Sequence, residues 1–214
     1  MARASGQMPK EGQLPTGGRA PGAELVFALC HEVGNLLLAT RLQGRVPAED
    51  TGARISELCG RAGALVALVR PLLSAPLPSP QAVDTSELLD ALPRALEVEA
   101  EGRVQVAREG AEQLPAVAVD AEALLHLLLA DVYAALAEPP SGGRVRVFAG
   151  RDRAGVAFGV EGPGELPSAG LSGRALTRAV GEALLCMGGG AVRVGPAGAG
   201  ARVCFVAPAA DPPG

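Results

Sequence analysis

The residues best equipped for chemistry lie in one short stretch, Ala28-Leu29-Cys30-His31-Glu32-Val33-Gly34-Asn35-Leu36-Leu37. A neutral imidazole, with an unperturbed pKa of about 6.5, is a nucleophile near neutral pH. At helical spacing Phe27, Gly34, Asn35 and Leu38 neighbour His31. Leu25, Leu29, Val33, Leu36 and Leu37 fall roughly opposite, so the helix is expected to aim His31 at solvent. Gly34 costs a helix about 1 kcal/mol relative to Ala, but it leaves room beside the imidazole for an incoming electrophile. Glu32 is placed to accept the proton of the other ring nitrogen, or the one displaced in transfer. The plainer alternative is a solvated helix histidine with no chemical role.

These residues need elements to hold them. Helix one is predicted over 23–45, Pro47 and Asp50 mark a turn, and helix two is predicted over 51–73. A short loop between long helices implies an antiparallel hairpin. Helix two carries its own stripe: Ile55, Leu58, Ala62, Leu65, Val66 and Val69. A lone hairpin buries little, so a homodimeric four-helix bundle is the economical solution. The predicted organisation is a disordered tail over 1–21, the hairpin over 22–74, a Pro-rich linker over 75–83, a second domain over 84–208 and a C-terminal tail over 209–214. That second domain alternates. Helices are predicted at 86–100, interrupted by Pro93, at about 121–137 capped by Asp120, and at 175–187. Strands are predicted at 103–108, 116–119, 145–148, 155–160, 192–194 and 203–206. Helices on one face of a mixed sheet make a two-layer α+β sandwich.

Composition narrows the function. Hydrophobic residues make up 48% of the 214 and aromatic residues 2%, so the expected core is aliphatic. The net charge of −4 shows no basic face for a nucleic acid. The four cysteines, Cys30, Cys59, Cys186 and Cys204, form no Cys-x-x-Cys pair and lie in apolar runs. They are expected to be buried reduced thiols. No signal-like stretch and no uninterrupted apolar run of about 20 residues occurs, so a cytoplasmic protein with no membrane association is expected. His126 sits in a Leu-rich helix and is expected to be packed, and no metal set is evident.

His31-Glu32-x-x-Asn35-Leu36-Leu37 resembles the H-box of histidine kinases, with Leu36 where that family usually has proline. The order of hairpin, linker and α+β domain is also similar to that family, over roughly residues 22–208. The nucleotide motifs depart from it. The family's N-box has two asparagines four residues apart, one reaching Mg²⁺; those positions here are Ala130 and Ala134. A methyl group cannot ligate Mg²⁺, and no Asn follows Asn35 anywhere in the chain. The family's Asp-x-Gly-x-Gly, whose Asp binds the adenine amino group, reads Val160-Glu161-Gly162-Pro163-Gly164. Glu161 is one residue out of place and on a strand faces the other way. The family's Gly-x-Gly entering a helix reads Ala175 and Thr177.

The resemblance therefore implies a histidine phosphotransferase of a bacterial phosphorelay, with a degenerate ATPase-like domain that binds no ATP. His31, Glu32 and Asn35 are the expected catalytic set. Phe27, Gly34, Leu38 and Leu42 are the expected contacts to partner proteins. The expected partners are response-regulator receiver domains and a second copy of the chain. No cofactor is expected, Mg²⁺ residing only on the receiver. A non-enzymatic regulator that binds a receiver or kinase, or a degenerate kinase phosphorylated in trans, stays open beside this reading.

Overall fold

The computed structural model describes residues 21–45, 51–73, 81–96, 103–109, 113–137, 144–167, 170–198 and 200–210. The expected tail over 1–21 except Pro21, which opens the first helix, the turn at Pro47 and Asp50 and most of the expected linker lie outside them. Helix α1 spans Pro21–Gln43, α2 spans Thr51–Ala67 and α3 spans Val69–Leu73. A Cβ on Gly22 would stand 3.4 Å from the Leu72 carbonyl, and one on Gly44 would stand 4.0 Å from Ile55 Cδ1. Between these ends Glu32 pairs with Arg61. Position rises along α1 as it falls along α2, so the two helices run antiparallel.

Strand β1 (Gln81–Val83) falls inside the segment expected to be a linker. It pairs antiparallel with β3 (Val117–Val119), and that pairing makes these three residues part of the domain. Helix α4 (Thr85–Ala95) begins at Asp84, whose Oδ1 accepts from the Ser86 amide at 2.6 Å. It stops near Pro93, short of the expected end, as a residue without an amide proton dictates. Helix α5 (Ala121–Ala137) is capped as expected, Asp120 Oδ1 accepting from the Ala123 amide at 3.0 Å. The main sheet contains β2 (Val104–Glu109), β4 (Val145–Asp152), β5 (Gly155–Gly162), β6 (Ala191–Ala197) and β7 (Gly200–Pro208), with α6 (Gly173–Cys186) between β5 and β6. Its order is β2-β4-β5-β7-β6; β2 runs parallel to β4 and the remaining pairs are antiparallel. Residues 209–210, expected to be tail, continue the fold: Val117 bridges Ala209, and the Ala210 amide donates to the Ala116 carbonyl.

Period two sorts the sheet's faces. Val147, Val160 and Val203 lie in one register row and are fully buried toward the helices. The adjacent row Arg146, Glu161 and Arg202 lies on the opposite face, where Glu161 pairs with both arginines. Glu161 thus points away from the helical side, as strand parity requires.

The hairpin is not set apart from this domain. Leu58, Ala62 and Leu65 of α2 share one continuous apolar core with α5 and the sheet. The helices approach so closely that a Cβ on Gly60 would meet the Tyr133 ring at 2.6 Å. The stripe expected to seek a second copy is therefore partly covered by the chain's own α5. By length and composition α1 could cross a membrane, although charged residues interrupt its apolar run. It is apolar on average because it carries one buried and one exposed apolar face, while still bearing Glu24, His31, Glu32 and Arg41.

Two alanine substitutions should have opposite signs. Gly63 has open space around it, so Gly63→Ala should raise stability by about 0.5–1 kcal/mol through helix propensity. Gly60→Ala gains the same propensity but must displace a buried tyrosine, so it should lower stability by about 1–3 kcal/mol. Urea unfolding of the two variants beside the parent measures both.

Candidate functional site

His31 lies near the middle of α1 and is exposed, as its position opposite Leu25, Leu29 and Leu36 requires. Those three leucines are buried at 9% exposure or less, but Leu37, expected among them, is 57% exposed. It stands at the edge of the apolar arc, beyond the reach of α2. Beside His31 along the outer ridge stand Phe27, Leu38 and Leu42, exposed at 68%, 56% and 53%. Gly34 is also exposed and has nothing within 4 Å of where a Cβ would project. The ridge thus offers an imidazole, a gap and three apolar side chains to solvent.

Asn35 reaches the ring, its Nδ2 lying 3.3 Å from His31 Nδ1. A carboxamide can present either its amide or its oxygen to a ring nitrogen. Turned so that Oδ1 accepts from Nδ1–H, it selects the tautomer whose Nε2 lone pair faces solvent.

Glu32 is not on the imidazole. Its Oε1 accepts from Arg61 Nη2 at 2.6 Å across the hairpin, each side chain being 13% exposed. Successive helical residues diverge by about 100°, so a neighbour in sequence does not face its neighbour in space. The pair joins α1 to α2 at the level of His31, where the sequence alone shows only two charges 29 positions apart.

A second feature flanks the ridge. Cys30, Val33, Val66, Val69, Arg70 and Leu73 line an open, largely apolar groove of about 630 Å³ between α1 and the α2–α3 segment. Cys30, Cys59 and Cys186 are exposed rather than buried. An apolar run on a helix supplies residues to every side of it, not only to the buried side. His126 is half-buried, 4.0 Å from Glu122, which Arg70 also pairs.

In the second domain the segments that resemble nucleotide motifs meet at one point. Ala130 and Ala134 are buried, at 1% and 3% exposure. Between them in sequence, Asp131 is wholly buried and accepts from Arg174 Nε at 3.0 Å and Nη2 at 3.1 Å. Arg174 also donates to the carbonyls of Val160 and Ala201 at 3.0 and 3.3 Å. Burial pushes the Asp131 carboxyl above the usual carboxylate range, and the Arg174 guanidinium opposes that shift. Sequence reasoning missed this pair. Its signal was an acid set in the apolar middle of a helix, which needs a buried cation wherever that stretch folds inward.

No protein-family model and no curated protein matches the sequence. Solved structures do. The histidine kinase ThkA, in its crystal structure with the response regulator protein TrrA, matches with a TM-score of 0.55 at 15% identity, over 87% of this chain and 61% of that one. ShkA, solved at full length with AMPPNP, matches with a TM-score of 0.51 at 24% identity, over 88% and 46%. The isolated catalytic domain of ThkA matches with a TM-score of 0.50 at 15% identity, over 62% and 98%. This chain spans less than two thirds of the two longer structures. Its fold is histidine-kinase-like, and its α+β domain resembles the ATP-binding domain of such kinases.

The Glu32–Arg61 pair can be measured by a double-mutant cycle. Glu32→Gln, Arg61→Met and the double variant should give a coupling of about 1–3 kcal/mol, as for a partly buried hydrogen bond between charges. Coupling near zero in urea unfolding would show that the pair does not hold the hairpin.

Proposed function

We propose that the chain is a histidine phosphotransferase of two-component signalling. His31 takes a phosphoryl group from the aspartyl phosphate of one receiver domain and passes it to another. The observation that carries this reading is the ridge of α1: an exposed imidazole bonded to Asn35, beside an open gap at Gly34 and flanked by exposed Phe27, Leu38 and Leu42. The association of ThkA with a response regulator supports the same class of partner.

Nε2 attacks phosphorus as the bond from phosphorus to the aspartyl oxygen breaks. The carboxylate leaves with the electron pair, and Asn35, with its carboxamide turned to present Oδ1 in place of the Nδ2 that now faces the ring, holds the Nδ1 proton while charge develops there. The loose transition state needs positioning and charge stabilisation more than covalent help. Mg²⁺ on the receiver supplies most of that charge. A second copy of the chain would seat on the groove that Cys30, Val33, Val66 and Leu73 line, leaving the His31 ridge free. In this reading the α+β domain binds no ATP, and Ala130, Ala134 and Val160 stand where the nucleotide-binding groups would be needed.

One observation favours a second reading, a binder of receiver domains that transfers nothing. Arg61 engages the carboxylate expected to serve the imidazole.

Incubation with a phosphorylated receiver decides between the two. Acid-labile phosphate should appear on the parent chain and be absent from His31→Gln. Binding without label would establish the regulator instead. Label on His31→Gln would overturn the assignment of the residue. Gly34→Ala gives a separate check. It should raise the Tm by about 2–4 °C through helix propensity. It should also slow transfer about tenfold or more by filling the gap beside the ring. Faster or unchanged transfer would show that the gap serves no donor.

A further inference from the structure

Arg174 is the second residue of α6, after Gly173 at φ 51°. Its side chain is 1% exposed and reaches three other elements: α5 through Asp131, β5 through the Val160 carbonyl and β7 through the Ala201 carbonyl. Asp131 and Arg174 are the buried charged residues among those described. The placement runs against two electrostatic preferences. A cation in a helix's first turn sits at the positive end of the dipole. A charge taken from water costs several kcal/mol unless it is paired and fully hydrogen-bonded. The bidentate carboxylate and two carbonyls offset both costs and engage four of the five donors of the guanidinium.

The junction so filled is where the N-terminus of α6 meets α5 and the ends of β5 and β7. The chain's own guanidinium fills this junction, held by the Asp131 carboxylate and by the Val160 and Ala201 carbonyls.

We propose that Arg174 acts as a built-in ligand, ordering the junction of α5, α6, β5 and β7 so that the α+β domain stays closed with nothing bound. The inference rests on the reading that this domain takes no nucleotide, and it supplies the physical device. Its job is registry: one planar group fixes three elements relative to a fourth.

Thermal unfolding of the full chain tests it. The parent Tm should not move with millimolar ATP and Mg²⁺. Arg174→Ala leaves Asp131 buried and alone and should lower the Tm by about 10 °C. Low-millimolar ethylguanidinium should raise the Tm of that variant and leave the parent unchanged. Arg174→Met combined with Asp131→Leu removes both charges and should regain most of the loss. It also provides the comparison if Arg174→Ala does not fold. A parent Tm raised by ATP and Mg²⁺, an Arg174→Ala variant as stable as the parent, no rescue by ethylguanidinium, or a double variant that regains nothing would each overturn the proposal. Transfer to His31 is scored separately in the parent. Its absence would remove the phosphotransfer reading and leave the built-in ligand standing.

Discussion

The constraint on which this structure depends is the burial of α5 on nearly every side. The sheet lies beneath it, α4 and α6 flank it, and α2 covers it at a separation that only Gly60 permits opposite Tyr133. Of the 17 residues from Ala121 to Ala137, all from Leu127 to Leu136 are buried. Such a helix has no free face for polar side chains. Alanine at positions 130 and 134 is what this packing asks for, and a methyl group offers a metal no oxygen ligand. The one acid kept in that run, Asp131, then requires a partner of opposite charge that can also satisfy its neighbours. Arginine does this where lysine could not, because its planar fork bridges a carboxylate and two carbonyls at once.

The same packing determines what α1 shows to solvent. Among the described residues of α1, Leu25, Ala28, Leu29 and Leu36 are buried, with Val33 and Ala39 partly buried against the same core. Two different surfaces remain. One is the ridge of Phe27, His31, Leu38 and Leu42. The other is the groove beside Cys30 and Val33. Exposed apolar area on this scale on a single helix is costly to leave wet and usually marks contact with another molecule. Two separate surfaces would allow two separate partners without competition.

Much of this was legible in the sequence, and the exceptions share a physical cause. Helical periodicity located α1, α2, α5 and α6, and Asp120 announced the start of α5 because its side chain caps an amide nearby in sequence. Strand parity placed Glu161 on the far face of the sheet for an equally local reason. What stayed hidden depends on distant segments coming together. Strand β1 is three residues long and exists only through β3. The docking of α2 on α5 turns on one glycine, which reads as a helix weakness until Tyr133 is set opposite it. Arg174 lies 43 positions from Asp131, and Arg61 lies 29 from Glu32. Side-chain pairing over such separations leaves no periodic trace.

The position of Glu32 also bears on how an imidazole can work here. Adjacency in sequence suggests an acid beside the ring, but helical geometry turns that acid toward α2, where Arg61 holds it. Asn35, one turn on, is the residue that reaches Nδ1. A neutral carboxamide fixes ring orientation and tautomer without drawing the proton away from the reacting ring. In the proposed transfer the phosphoryl group would arrive on a carboxylate that leaves as a stable anion, so the acceptor would need a correctly aimed lone pair more than a strong base. Glu32 then contributes by keeping α1 against α2, and through that contact it fixes the direction in which His31 faces.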